Sequence, residues 1–88
     1  VKTLNQLGAE MMPEAGFLPH RPVMFMAGDD AAAKTAVARL LTDLGFEALD
    51  AGGLAKARIL EPLAMVWINQ ALAQGMGPRW ALAAIRAN

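Results

Sequence analysis

Cysteine and serine are missing from this sequence of 88 residues, and His20 is its one histidine. The first absence excludes disulfides, thiolate metal sites and a cysteine nucleophile, and leans the chain toward the cytoplasm. A single histidine with no carboxylate near it in sequence cannot build a hydrolytic triad or a zinc site, so no catalytic residue and no metal ligand is expected. Beside Arg21, His20 reads as a solvated loop residue. Charge of one sign is missing too. Eight Lys and Arg balance eight Asp and Glu, so no net field draws in nucleic acid or an anionic membrane, and neither is an expected partner. The most apolar run, Leu63 to Ile68, is interrupted beyond its end by Asn69, Gln70 and Gln74, well short of the ~20 clean residues of a membrane span. The glycine-rich phosphate loop of a dinucleotide fold is also lacking: Gly75-Met76-Gly77 follows a helical pattern and does not link a strand to a helix.

What is present is apolar. The hydrophobic fraction is 56% and the charged fraction 18%, against roughly 45 to 50% and about 25% in ordinary soluble domains. A chain this short forms one domain at most and buries only about 60 to 65% of its unfolded surface. Apolar surface is therefore left over, and a chain opening at Val1 inside a strand pattern reads as a piece of a larger α/β protein.

Val1 to Asn5 reads as the end of a strand, and Gly8 to Met12 as a helical turn before Pro13. Pro13 to Pro22 reads as a loop. Val23 to Ala27, uninterruptedly apolar and closed by Gly28-Asp29-Asp30, predicts a strand buried on both faces. A helix over Ala31 to Leu44 follows, with Ala36, Val37, Leu40, Leu41 and Leu44 at one-face spacing and Gly45 as its stop. Phe46 to Leu49 predicts a short strand, ended by the turn Asp50-Ala51-Gly52-Gly53. From Leu54 to Ala73, 14 of 20 residues are apolar and the polar ones scatter, which predicts an apolar helix covered on most sides. Pro62 predicts a kink, or a first helix ending near Leu60. Trp80 to Ala87 has room for a last amphipathic turn or two. The division is thus 1–53, a sheet tail with helix 31–44, and 54–88, a C-terminal helical part.

Adjacent carboxylates at a helix start cap it more often than they bind metal, so Asp29 and Asp30 read as caps. Arg58 and Glu61 read as an i, i+3 ion pair. Met65, Trp67, Met76 and Trp80 fit core packing, with the wall of a planar-ring pocket as the other reading. If Val1 to Leu4 is a parallel strand, Asn5 and Gln6 lie beyond its carboxyl end, where open α/β sheets place ligands.

Val1-Lys2-Thr3-Leu4-Asn5, Met24 to Asp30, Leu44-Gly45-Phe46, Asp50-Ala51-Gly52, Arg58-x-Leu60-Glu61-Pro62-Leu63-Ala64 and Gly75-Met76-Gly77, in that order and spacing, resemble the C-terminal half of the deazaflavin (coenzyme F-420) dependent NADP reductase family. The resemblance implies the C-terminal portion of a Rossmann-like mixed sheet with an apolar C-terminal helix. It implies a parent oxidoreductase that moves hydride between NADPH and a deazaflavin or flavin-like acceptor. By similarity Asn5 and Leu7 lie beside the two cofactor rings, while Met65, Asn69 and Met76 close the acceptor pocket. Gln6 stands where the family often has Thr, and Gly53 where it often has Pro. The implied partners are the N-terminal nucleotide-binding half of the same protein and a second subunit in a homodimer. The chain alone is expected to bind no dinucleotide and to be inactive. The alternative is a non-catalytic dimerisation module.

Overall fold

A computed structural model of the chain describes residues 1–87. Its centre is a βαβ unit: strand β1 (Val23–Met26), helix α1 (Ala31–Asp43) and strand β2 (Glu47–Asp50). The two strands are parallel, with Val23 opposite Glu47 and Met26 opposite Asp50. Strand β1 is buried as its unbroken apolar run requires, and Phe46, fully buried, leads into β2. Helix α1 starts where a carboxylate can accept its free amides: Asp30 Oδ1 takes the N–H groups of Ala32 and Ala33 at 3.0 and 3.2 Å. Asp29 caps a different segment, accepting from Leu54 N–H at 2.9 Å. The helix stops at Gly45, where φ is +101° and an added Cβ would stand 2.5 Å from the backbone nitrogen of Gly16. Only glycine meets both conditions. The buried stripe of α1 is narrower than its apolar pattern: Leu41 is fully buried, Val37 and Ala38 are half-buried, and Leu40 and Leu44 face outward at 53% and 41% exposure.

The second edge of β1 is closed by three unlike groups. Lys2 and Ala27 exchange backbone hydrogen bonds of 2.7 and 2.9 Å in an antiparallel bridge. The strand end expected over Val1 to Asn5 is therefore reduced to one bridge, and it is antiparallel, so the parallel arrangement considered for Val1 to Leu4 does not form. Leu4 then turns with φ of +62°, a left-handed conformation costing a side chain about 1 kcal/mol. The turn lets two side chains reach the same backbone position. Thr3 Oγ1 donates to Phe25 O at 2.7 Å, while Gln6 accepts from Phe25 N–H at 2.7 Å and donates to Phe25 O at 3.3 Å. Gln6, only 3% exposed, thus stands in for a neighbouring strand. Leu82 O completes the edge by accepting from Val23 N–H at 2.8 Å.

Residues expected to make one turn and then a loop form a 3-10 helix, Ala9–Phe17, that runs through Pro13. Met11 and Ala15 anchor it in the core, which outweighs the amide lost at Pro13. The core gathers Leu7, Met11, Ala15, Met24, Met26, Leu41, Phe46, Trp67 and Ala71.

The single apolar C-terminal helix expected over Leu54 to Ala73 is not what forms. The stretch divides into a 3-10 turn (Leu54–Lys56), helix α2 (Ala57–Ile68) and a π-helical turn (Asn69–Ala73) whose wider spacing appears in Gln74 N–H donating to Asn69 O at 3.0 Å. Gly75 and Gly77, at φ of +76° and +75°, end it, and residues 80–87 contain no helix, contrary to the turns expected there. Position 88 of the expected helical part lies outside the described residues. The first helix ending near Leu60, one of the two outcomes expected from Pro62, does not occur: α2 continues through the proline. The proline leaves the Arg58 carbonyl without its helical donor, but Arg58 is exposed and water can serve instead.

Helix α2 buries Leu60, Ala64 and Trp67, with Ala71 extending the stripe. On its other side Ile59, Met65, Val66 and Leu72 are between 55% and 78% exposed. Beyond the helix the chain returns across the core: Trp80 stacks on Trp67 with centroids 5.5 Å apart and planes at 12°, and Trp67 Nε1 donates to Trp80 O at 3.3 Å. Arg79 grips Glu14 through two hydrogen bonds, and Arg86 bonds Glu47. Among the described residues, no helix is long and apolar enough to cross a membrane.

Candidate functional site

The outward side of α2 carries an open groove of ≈ 600 Å³, lined by Glu61, Pro62, Met65, Val66 and Asn69. Its residues recur at helical spacing, so one face supplies the whole lining. Apart from Glu61 and Asn69 it is hydrocarbon and thioether, the surface a planar ring would lie on. Glu61 is tied to Lys2 at 2.5 Å, which leaves the expected Arg58 pair unformed because Lys2 reaches across from the bridge to β1. Asn69 Nδ2 donates to Gln70 Oε1 at 2.9 Å, and Gln70 Nε2 donates to Met76 Sδ at 3.6 Å. Asn69, Gln70 and Met76 thus connect the groove to the turn after the helix through two hydrogen bonds.

The five residues implied as cofactor contacts fall into two sets. Met65 and Asn69 line the groove, and Met76 joins them through Gln70. Asn5 and Leu7 do not line it. The Asn5 amide is engaged on the buried side of α2, where Nδ2 donates to Leu60 O at 2.8 Å and Oδ1 accepts from Gln6 at 2.5 Å. Leu7, 8% exposed, belongs to the core. Met65 and Met76, 62% and 53% exposed, are not core residues, whereas Trp67 is buried and Trp80 packs against the core. Gln70, Pro62 and Val66 are not among the cofactor contacts that the resemblance implied. Apolar 62, 65 and 66 at one-face spacing was the available signal, but an almost uniformly apolar helix does not reveal which face is inward.

At the carboxyl ends of β1 and β2 lies a second cavity, ≈ 370 Å³, lined by Met26, Ala31, Lys34, Thr35, Ala38 and Asp50. Asp50 accepts from Gly52 N–H at 2.8 Å and from Lys34 Nζ at 3.0 and 3.2 Å. The Gly52 hydrogen bond first, and Lys34 second, hold its carboxyl below the usual range. The Lys34 charge is thereby paired, and Asp29 and Asp30 in the adjoining loop are engaged by backbone amides. Gly53 has φ of −66°, the angle proline imposes, so the backbone keeps the conformation of the residue common in the resembled family.

No family model and no curated protein matches the chain. Among solved structures it is similar to a protein from Arthrobacter sp. described as a putative F-420 dependent NADP-reductase, with 37% identity and a TM-score of 0.80. The match covers 97% of this chain and 39% of that one, so the chain spans about two-fifths of the length of the structure it matches. With more than a third of its residues shared over nearly its whole length, on a common fold, the chain is similar to part of a protein described as a putative member of the F-420-dependent NADP reductase family that its sequence resembles.

Proposed function

We propose that the chain is the C-terminal part of a cytoplasmic oxidoreductase that transfers hydride between NADPH and a deazaflavin or flavin-like acceptor, and that it is inactive by itself. The observation that carries this is the match to two-fifths of a putative F-420 dependent NADP-reductase. Hydride exchange between two cofactors asks the protein chiefly to align rings and exclude water, with no obligatory acid or base. That suits a chain whose groove offers hydrocarbon, thioether and an amide. Met65 and Asn69 would hold the acceptor ring, with Met76 steadied against them by Gln70. Asn5 and Leu7 would act from the opposite side of α2, where Asn5 keeps α2 seated against Gln6. NADP would be held by the N-terminal nucleotide-binding half, because the loop after β1 presents two carboxylates where a pyrophosphate would need amides. Titrating NADPH into protein that includes the upstream sequence should give saturable binding, and into the 88-residue chain none. Absence of binding by the longer protein at millimolar NADPH would refute the reading.

A second reading is favoured by the exposed side of α2. Ile59, Met65 and Val66 on α2, with Leu72 in the π-helical turn after it, expose apolar surface, and such surface favours association. The chain would then pair with its own copy as a non-catalytic dimerisation module. Sedimentation velocity separates a defined dimer from a monomer or from indefinite aggregates.

A further inference from the structure

We propose that the left-handed turn at Leu4 is a positioning device that seats α2 against the sheet for hydride transfer. The proposal rests on the reading of the chain as part of an NADPH-dependent oxidoreductase. Among the described residues Leu4 is the one non-glycine residue with a positive φ, +62°. Such a conformation persists only where its surroundings over-determine it, and here they do so from both sides. The bridge between Lys2 and Ala27 sets an antiparallel register in which an extended chain would next bring Leu4 opposite Phe25 and Gln6 opposite Val23. The chain instead turns away at Leu4. The side chains of Thr3 and Gln6 take over the Phe25 carbonyl and amide, and Val23 N–H goes to Leu82 O. What the turn gains is a hold on α2: Asn5 Nδ2 reaches Leu60 O at 2.8 Å, beside the Lys2 Nζ to Glu61 Oε1 contact of 2.5 Å. Residues 2–6 thus grip β1 at residues 25 and 27 and α2 at residues 60 and 61. Leu4 lines no part of the groove; it acts through Asn5 on the helix that carries it. Hydride transfer depends on such seating. A bond to hydrogen breaks on NADPH and one forms on the acceptor ring, both electrons travel with the hydrogen, and a solvent proton completes the reduced acceptor. A misplacement of about 1 Å costs on the order of a hundredfold in rate.

The test separates the turn from packing, because Leu4 also packs against the core. Leu4→Asn tolerates a left-handed φ but gives up apolar contact, whereas Leu4→Val keeps an apolar side chain that resists that φ. NADPH oxidation is measured on protein that includes the upstream sequence, with coenzyme F-420 and with FMN as acceptor. Leu4→Val should lower kcat on the order of ten- to hundredfold with both KM values within about twofold. It should also raise the isotope effect of NADPH deuterated at the transferred hydrogen, since transfer becomes the slow step. Leu4→Asn should keep kcat within about threefold of wild type although it melts lower. Without cofactors, amide exchange at Phe25 and over residues 60–65 should quicken on the order of tenfold in Leu4→Val and stay near wild type in Leu4→Asn. A wild-type protein that oxidises no NADPH with either acceptor overturns the oxidoreductase reading and this inference with it. Turnover that falls in step with melting temperature in both variants overturns the inference alone, as does a Leu4→Val variant whose KM rises while kcat holds. Where Leu4→Val does not fold, Leu4→Asn decides: an unchanged isotope effect supports the role of the turn, and a raised one overturns it.

Discussion

Replacing Gln6 by alanine tests whether a side chain serves as the missing neighbour of strand β1. The substitution removes the acceptor of Phe25 N–H, at 2.7 Å, and one of two donors to Phe25 O. The carbonyl keeps Thr3 Oγ1 at 2.7 Å, so the loss falls on the amide. An orphaned donor in a buried setting costs about 1 to 3 kcal/mol. Taking about 2 kcal/mol, a domain of this size should melt roughly 8 to 16 °C lower. Gln6→Glu sharpens the test because shape and acceptor are retained while the donor is lost. Its second oxygen would face Phe25 O and Asn5 Oδ1, so the carboxyl would titrate above its unfolded value. The destabilisation should then be full at neutral pH and shrink as pH falls through that raised value. Thermal unfolding followed by far-ultraviolet circular dichroism measures both variants. Gln6→Ala within about 0.5 kcal/mol of wild type, a change typical of inert surface sites, or a Gln6→Glu penalty independent of pH, would refute the role assigned to Gln6.

Gly45→Ala should destabilise by at least about 2 kcal/mol in urea titration, because a left-handed φ and backbone atoms of Gly16 at 2.5 and 2.6 Å both oppose a Cβ. Asp30→Ala should cost about 1 kcal/mol by uncapping α1, and Asp29→Ala should instead loosen the Leu54 turn, a distinction that amide exchange at Ala32, Ala33 and Leu54 would read. The carboxyls of Glu47 and Asp50 are held below their ordinary values, the first chiefly by the Arg86 hydrogen bond and the second chiefly by Gly52 N–H. Groups depressed in the folded state contribute stability above their unfolded values and lose it as pH falls through the folded ones, so the melting temperature should drop below roughly pH 4. Arg86→Met should flatten part of that acid limb, and an unchanged limb would contradict the pairing.

The βαβ unit was legible because local signals agreed there: an unbroken apolar run, a capping carboxylate, one-face spacing and a glycine stop. Position alone could not assign Asp29 and Asp30 to separate segments, since the partner of Asp29 is Leu54, 25 positions away. Periodicity likewise misjudged α2. When nearly every residue is apolar, no face is marked as inward, and the choice of Leu60, Ala64 and Trp67 depends on what stands opposite. Pro62 predicted a break because the missing hydrogen bond is local information, whereas the packing that retains the helix is not. The groove was half legible: Met65 and Asn69 came from the family resemblance, and Asn5 and Leu7 proved to be committed to internal contacts.

The patchwork edge of β1 also sets an order of assembly. The βαβ unit draws on residues 23–50 and closes through contacts near in sequence, so it can form early. Phe25 acquires Thr3 and Gln6 across 22 and 19 positions, and Val23 acquires Leu82 from the far side of both helices. Bringing such distant segments together incurs loop-closure entropy before any contact repays it. Completion of the sheet should therefore be a late step in folding, and the backbone amides of Val23 and Phe25 should gain protection after those of α1.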